Sequence, residues 1–238
     1  MTLAQVAPSI ERTQPPPARP GVAVRRLGQV GYGAAWDLQR ELVAARQAGD
    51  VPDTLLLLEH PPVITLGRSG ESGHLLGSEA ELERRGIAFV ETDRGGDITF
   101  HGPGQIVGYA IVDLAARGRD LHRYLRDLEA VLIRALAEFA IVAGRVDGLT
   151  GVWVGDAKVA AIGIRVSRWI THHGFALNVD TDLSYFDLIV PCGIADRPVT
   201  SMEALLGHPV ERGGVESALG RAFEAVFGHA PERAEELP

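Results

Sequence analysis

Apolar residues recur along this chain with two different periods, and the changes of period divide it into elements. Leu121, Tyr124, Leu125, Leu128, Val131, Leu132, Leu136 and Phe139 return every three or four residues, which predicts an amphipathic helix over residues 120–140. A second helix is expected over residues 32–48, with Trp36, Leu42 and Val43 among its apolar positions. Elsewhere the pattern is extended. Residues 22–30, 87–91 and 106–114 read as strands, and TLLLLEH (residues 54–60) is a continuous apolar run stopped by Pro61 and Pro62, which suits a buried strand. Val and Ile alternate on either side of Gly155-Asp156, predicting a hairpin over residues 151–169, and residues 171–179 add a strand beside it. Ser78 with Glu81 forms a capping box for a short helix ending at Gly86, Thr200 with Glu203 caps another, and residues 215–227 make the last.

Strands and helices follow one another without strict alternation, and no internal repeat is visible. The expected fold is α+β: mixed, largely antiparallel sheets flanked by helices, rather than a doubly wound parallel sheet. Pro15, Pro16, Pro17 and Pro20 make residues 1–20 a disordered tail, leaving one domain over residues 21–230 and a flexible C-terminus at residues 231–238.

Composition narrows the setting. The 238 residues hold ample material for a core, and no apolar run of about 18 residues, so no membrane association is expected. Prolines and charges interrupt the N-terminal stretch where a secretory signal needs continuous apolar residues. One cysteine can close no internal disulfide and build no paired-cysteine metal site. The reducing cytoplasm is the expected compartment, and no metal is expected. A net charge of −8 argues against nucleic acid as a partner. One count changes the picture more: of 23 lysines and arginines, only Lys158 is lysine. A bias toward arginine explains the others and makes the exception informative, because arginine keeps its charge while a partly buried lysine can release its proton.

Three segments can carry chemistry. RGGDITFHGPGQ (residues 94–105) is dense enough in glycine for its backbone to approach a ligand, or simply to make two tight turns around a short strand. Its spacing is neither GxGxxG nor GxxxxGKS/T, so it is no ordinary phosphate loop. His101 within it could serve as a general base, although an isolated histidine is more often an ordinary hydrogen-bonded residue. Cys192 follows an apolar run and precedes Gly193, which places it at a strand end, with the Gly193 amide and a neighbour as candidate oxyanion donors. A buried structural cysteine is the plain alternative. Lys158 lies in GDAKVAAIG. A thiol attacks well only as a thiolate, and a nearby amine can take its proton and later manage that of an incoming amine. The sole thiol and the sole lysine are therefore the expected nucleophile and proton-handling partner.

Taken together, RGGDITFHGPGQIVGYAIVDL, GVWVGDAKVAAIGIRVSRW, and THHGFALNVDTDL with IVPCGIADRPVTSM resemble the lipoyl(octanoyl) transferase family of lipoate biosynthesis. The resemblance runs from about Val22 to Phe227. Phe100 stands where the family usually carries tyrosine, and Ala110 where it usually carries proline. The resemblance implies a fold shared with the catalytic domains of lipoate- and biotin-protein ligases. It also implies a reaction without a cofactor, in which octanoyl passes from acyl carrier protein to a lysine ε-amine. The acceptors would be lipoyl domains of 2-oxoacid dehydrogenase complexes and the glycine cleavage H protein. Residue by residue, Cys192 matches the acyl-accepting nucleophile and Lys158 its activating partner. Arg94, Gly95, Gly96, Asp97, Ile98, Thr99, Phe100 and His101 match the main substrate-binding loop. Ala161, Ile162 and Gly163, with Gly174, Phe175 and Ala176, match two further segments lining the acyl pocket. Other readings stay open: an ATP-dependent lipoate ligase on the same fold, a non-catalytic module binding acyl carriers or lipoyl domains, and a Cys-His hydrolase using His101, His172 or His173.

Overall fold

The computed structural model describes residues 21–194 and 196–228. The segments 1–20 and 231–238, read above as a tail and a flexible terminus, lie outside the described residues. In chain order the elements are β1 (Ala23–Gln29), α1 (Tyr32–Ala48), β2 (Thr54–Glu59), β3 (Val63–Leu66), α2 (Glu79–Arg84), β4 (Ala88–Glu91) and β5 (Ile98–His101). They continue with β6 (Gln105–Ile111), α3 (Leu121–Ala137), β7 (Gly144–Val146), β8 (Leu149–Val154), β9 (Ala157–Ser167), β10 (Ile170–Asn178), α4 (Met202–Leu206) and α5 (Arg212–Phe227). One sheet has the order β1-β2-β6-β10-β9-β8-β7, and a second the order β4-β3-β5. The β1–β2 and β3–β4 ladders are parallel and the others antiparallel, which is the expected α+β architecture.

The leucines of β2 are apolar without alternation because both faces of the large sheet are covered. Leu55 and Leu57 join α3 and α5 in one core, while Leu56 and Leu58 lie in another with residues of α1. The apolar stripe of α3 buries Tyr124, Leu128, Val131, Leu132 and Leu136, and Asp120 caps the helix by accepting the Arg123 N–H at 2.9 Å. The small sheet has its own core of Ile64, Ile98, Phe100, Phe186 and Leu188. Among the described residues no helix is long and apolar enough to cross a membrane.

The departures from the sequence reading have local causes. Pro61 and Pro62 end β2 as expected, but β3 begins at once after them, so the prolines carry the chain from the large sheet to the small one. β7 has three residues, too few for any period to register. The cap of α4 is Ser201, which accepts the Ala204 N–H at 3.2 Å; Thr200 instead donates its N–H to the Lys158 carbonyl. α5 begins at Arg212 rather than Val215 because Glu211 accepts from the Gly213 and Gly214 amides and supports a first turn containing two glycines.

A charge buried under the sheet fixes the β7–β8 hairpin. Glu129 of α3 is fully buried; its Oε2 accepts from Arg126 Nη1 at 2.8 Å and Arg145 Nε at 2.7 Å, and its Oε1 from the Gly151 N–H at 3.2 Å. Both arginines are nearly half exposed, which weakens their share. Glu129→Ala is expected to lower the unfolding free energy by about 2 kcal/mol in denaturant titration. A loss under about 0.5 kcal/mol would mean that the hairpin is held by other contacts.

Candidate active site

A cavity of ≈ 270 Å³ is lined by residues of both sheets. That is near the lower end of the range for small-molecule pockets, about 300–1,000 Å³. Arg94, Gly96 and Asp97 reach it from the loop before β5, and Thr99 and His101 from β5 itself. The large sheet supplies Val107 and Tyr109 of β6, Lys158, Ala161, Ile162 and Gly163 of β9, and His173, Gly174, Phe175 and Ala176 of β10. Tyr32, the β7–β8 turn at Gly148, Leu149 and Thr150, and Cys192 with Ile194 complete the wall.

Of the residues named from sequence, Gly95, Ile98, Phe100 and His172 lie outside this lining. Alternation along β5 separates them: Thr99 and His101 face the cavity, whereas Ile98 and Phe100 face the small-sheet core, Phe100 stacking on Tyr185 at 4.5 Å. Gly95 docks the loop on β9 by donating its N–H to Ile164 O at 2.8 Å. A Cβ on Gly163 would stand 2.8 Å from the Gly95 carbonyl, so glycine is what permits this approach.

Cys192 is not at a strand end. It occupies a short 3-10 turn, Pro191–Gly193, with φ 56° and ψ 19°, and Gly193 follows at φ 68°. Left-handed backbone at a non-glycine residue costs on the order of 1–3 kcal/mol and persists only where its surroundings hold it. The expected oxyanion donors are committed elsewhere, since the Gly193 N–H bonds Val190 O and the Ile194 N–H bonds Pro191 O, both at 3.0 Å. What holds the turn was invisible in sequence. His74 Nδ1 hydrogen-bonds the Asp97 carboxylate, and a Cβ on Gly193 would come within 2.7 Å of Asp97 Oδ2 and 3.3 Å of His74 Cε1. The His74 carbonyl also accepts the Val190 N–H at 2.8 Å. His74 sits in a polar stretch without a period, and no pattern there marks it.

Lys158 is 6% exposed, with Nζ 4.8 Å from the centroid of the Trp153 ring, and no carboxylate pairs with it among the described residues. Its backbone bonds the chain that follows Cys192: Lys158 N–H donates to Pro198 O and Thr200 N–H to Lys158 O, both at 2.9 Å. Cys192, partly exposed, and Lys158 both line the main cavity and a narrow recess of ≈ 10 Å³ beside Gln105 and Asn178. Arg94 is a buried cation, likewise without a carboxylate partner among the described residues; Nη2 donates to Thr65 O at 2.7 Å and Thr65 Oγ1 at 2.9 Å.

Comparison with known proteins now bears on this geometry. The lipoyl protein ligase A/B catalytic domain matches residues 31–224. The octanoyltransferase of Solibacter usitatus is 57% identical over 206 residues, 87% of this chain and 90% of its own. That of Chloroflexus aurantiacus is 53% identical over 213 residues, 88% and 96% of the two chains. The chain belongs to this family. It is an enzyme, a transferase. A lipoate-protein ligase A solved with ATP superposes with a TM-score of 0.69 at 17% identity, over 87% of this chain and 85% of that one. The bi-partite lipoate protein ligase of Thermoplasma acidophilum gives 0.68 at 17% identity, over 87% and 84%. At such identities the likeness is one of fold, and the expected kinship with lipoate ligases holds.

The family member described here buries several histidines around its cavity. His60 Nε2 and the Tyr109 hydroxyl are 2.7 Å apart, and His101 Nδ1 lies 2.7 Å from Gln105 Oε1. Burial, helped by nearby His60, pushes His101 down to about 3, and burial takes His173 down to about 4. A group that weak, with one nitrogen committed to Gln105, makes His101 a poor general base. Both folded values lie below the ordinary histidine value, so the folded chain binds fewer protons than the unfolded one as pH falls. Their contribution is complete above about pH 6.5 and is lost on acidification, at up to about 1.4 kcal/mol per pH unit for each histidine. Melting temperature is expected to fall already between pH 6 and pH 5, before most carboxylates titrate, and His101→Gln should flatten that segment. A wild-type profile level down to pH 5 would contradict this.

Proposed function

We propose that the chain moves an octanoyl group from octanoyl acyl carrier protein, through a thioester on Cys192, to the lysine ε-amine of lipoyl domains. Those of 2-oxoacid dehydrogenase complexes and the glycine cleavage H protein are the acceptors. The observation that carries the reading is that the sole cysteine and the sole lysine line one cavity, beside a backbone bridge that binds their segments together. The names of the relatives support the octanoyl group.

In the first half-reaction Cys192 Sγ attacks the donor's thioester carbonyl while Lys158 Nζ takes the thiol proton. Collapse of the intermediate expels the carrier thiolate, which recovers that proton from Lys158. One thioester replaces another, so the step is nearly balanced. With the Gly193 and Ile194 amides engaged, Arg94 is the cation available to the transient oxyanion. In the second half-reaction an amine attacks the Cys192 thioester and forms an amide, which is downhill and needs no ATP. The acyl tail lies along Ala161, Ile162, Gly163 and Ala176, where small side chains leave room and each buried CH₂ contributes about 0.8 kcal/mol.

Cys192→Ser should nearly abolish octanoyl transfer. Lys158→Arg, which is always protonated and so cannot take the thiol proton, should lower turnover by about a hundredfold or more. Initial rates with donor and acceptor both varied should give parallel double-reciprocal lines. Intersecting lines, or full activity in Lys158→Arg, would contradict the mechanism. Retention of ATP-dependent transfer from free octanoate by Cys192→Ser would instead identify a ligase.

A further inference from the structure

His172 and His173 are neighbours in β10, yet their side chains stand together. In the β9–β10 ladder His172 pairs with Arg165 and His173 with Ile164, whose side chain packs on the core of α3 and α5. Strict alternation would send the His173 ring toward that core. Left-handed backbone at His173, φ 56°, turns it back instead, and the two imidazole centroids lie 5.0 Å apart. Asp93, in the loop before β5, meets both rings. Its Oδ1 is 2.8 Å from His173 Nε2 and its Oδ2 is 3.5 Å from His172 Nε2. One ligand atom from each of the three residues lies within 4.8 Å of the other two.

These are the donors and the spacing of a metal site. Zinc binds imidazole nitrogen at about 2.0–2.1 Å and carboxylate oxygen at about 2.0–2.2 Å, so ligand atoms on a tetrahedral ion stand about 3.3 Å apart. The two separations from Asp93 bracket that value. Imidazole with one carboxylate suits zinc and its first-row neighbours better than magnesium or calcium. Burial of both rings favours the neutral imidazole that a cation needs. Each ring has a buried Nδ1 without a partner, so no neighbour fixes which nitrogen carries the hydrogen, and Nε2 can be the bare one. Asp93 is 38% exposed, which gives an ion and its remaining water ligands a way in.

Two cations oppose an ion here. Arg165 Nε lies 3.3 Å from Asp93 Oδ2, and Arg94 is close enough to act on His173. Arg165 is 33% exposed and can turn to solvent, whereas Arg94 is held by Thr65.

We propose that Asp93, His172 and His173 bind a divalent cation of the zinc class through one carboxylate and two Nε2 atoms. The search for paired cysteines in the sequence could not find such a site. The ion ties the loop that carries Arg94 to β10. Its role is structural, because His173 pairs with Ile164, six residues along β9 from Lys158. The proposal stands apart from the covalent reading above.

Titration of the chelator-stripped full chain with Co²⁺ alone, read by visible ligand-field absorption, tests it. One Co²⁺ should bind per chain and be displaced by one Zn²⁺, and Cys192→Ser should bind equally well. Asp93→Asn, whose amide oxygen can still accept from His173, and His172→Gln should each weaken binding about tenfold or more. Arg165→Gln, which removes the competing cation, should tighten it about threefold. Zn²⁺ should raise the melting temperature of wild type and leave that of Asp93→Asn unchanged. No saturable binding by wild type, or no rise in its melting temperature with Zn²⁺, overturns the site. Binding lost in Cys192→Ser, kept in Asp93→Asn and His172→Gln, or not tightened in Arg165→Gln overturns it as well, because the ion then lies elsewhere.

Discussion

Two backbone hydrogen bonds, Lys158 N–H to Pro198 O and Thr200 N–H to Lys158 O, bind the chain that follows Cys192 to the start of β9. Without them nothing in the sheet order brings position 192 to position 158. From the other side, the Cys192 turn leans on Asp97 and His74, whose carbonyl holds the Val190 amide. A strand start, a loop and a turn, far apart in sequence, thereby converge on one cavity. The large sheet and its two covering layers serve chiefly to make that convergence rigid.

The cavity concentrates features that work against stability. Lys158 and Arg94 are buried basic side chains without carboxylate partners among the described residues, Cys192 and His173 have left-handed backbone, and His173 keeps an unpartnered nitrogen. Each is unfavourable in a folded chain taken by itself. The cores beneath α1 and around α3 and α5 supply the apolar burial that offsets them. Grouping the unfavourable features along one wall is what proteins do where a ligand completes the structure. A thioester's developing negative charge beside Arg94 would satisfy one of these groups for part of a catalytic cycle.

Much of this was legible in the chain because it depends on local pattern. The 3.6-residue stripe of α3, the all-apolar β2 and the Gly155-Asp156 turn each state their structure within a few residues. Lys158 and Cys192 stood out by rarity, and the long motifs around them placed the chain in its family. The rest depended on contacts across the fold. His74 reaches the Cys192 turn through Asp97, and the division of β5 between Thr99 and His101 on one side and Ile98 and Phe100 on the other needs the second sheet to be seen. The left-handed Cys192 and the engaged Gly193 amide follow from a turn whose sequence, Pro-Cys-Gly, is compatible with several conformations.

Peptide mapping after incubation with octanoyl acyl carrier protein alone tests the central claim most directly. The account predicts one octanoyl group, carried by the peptide that contains Cys192 and lost when an apo lipoyl domain is added. Transfer that proceeds at full rate while Cys192 remains unmodified would contradict it.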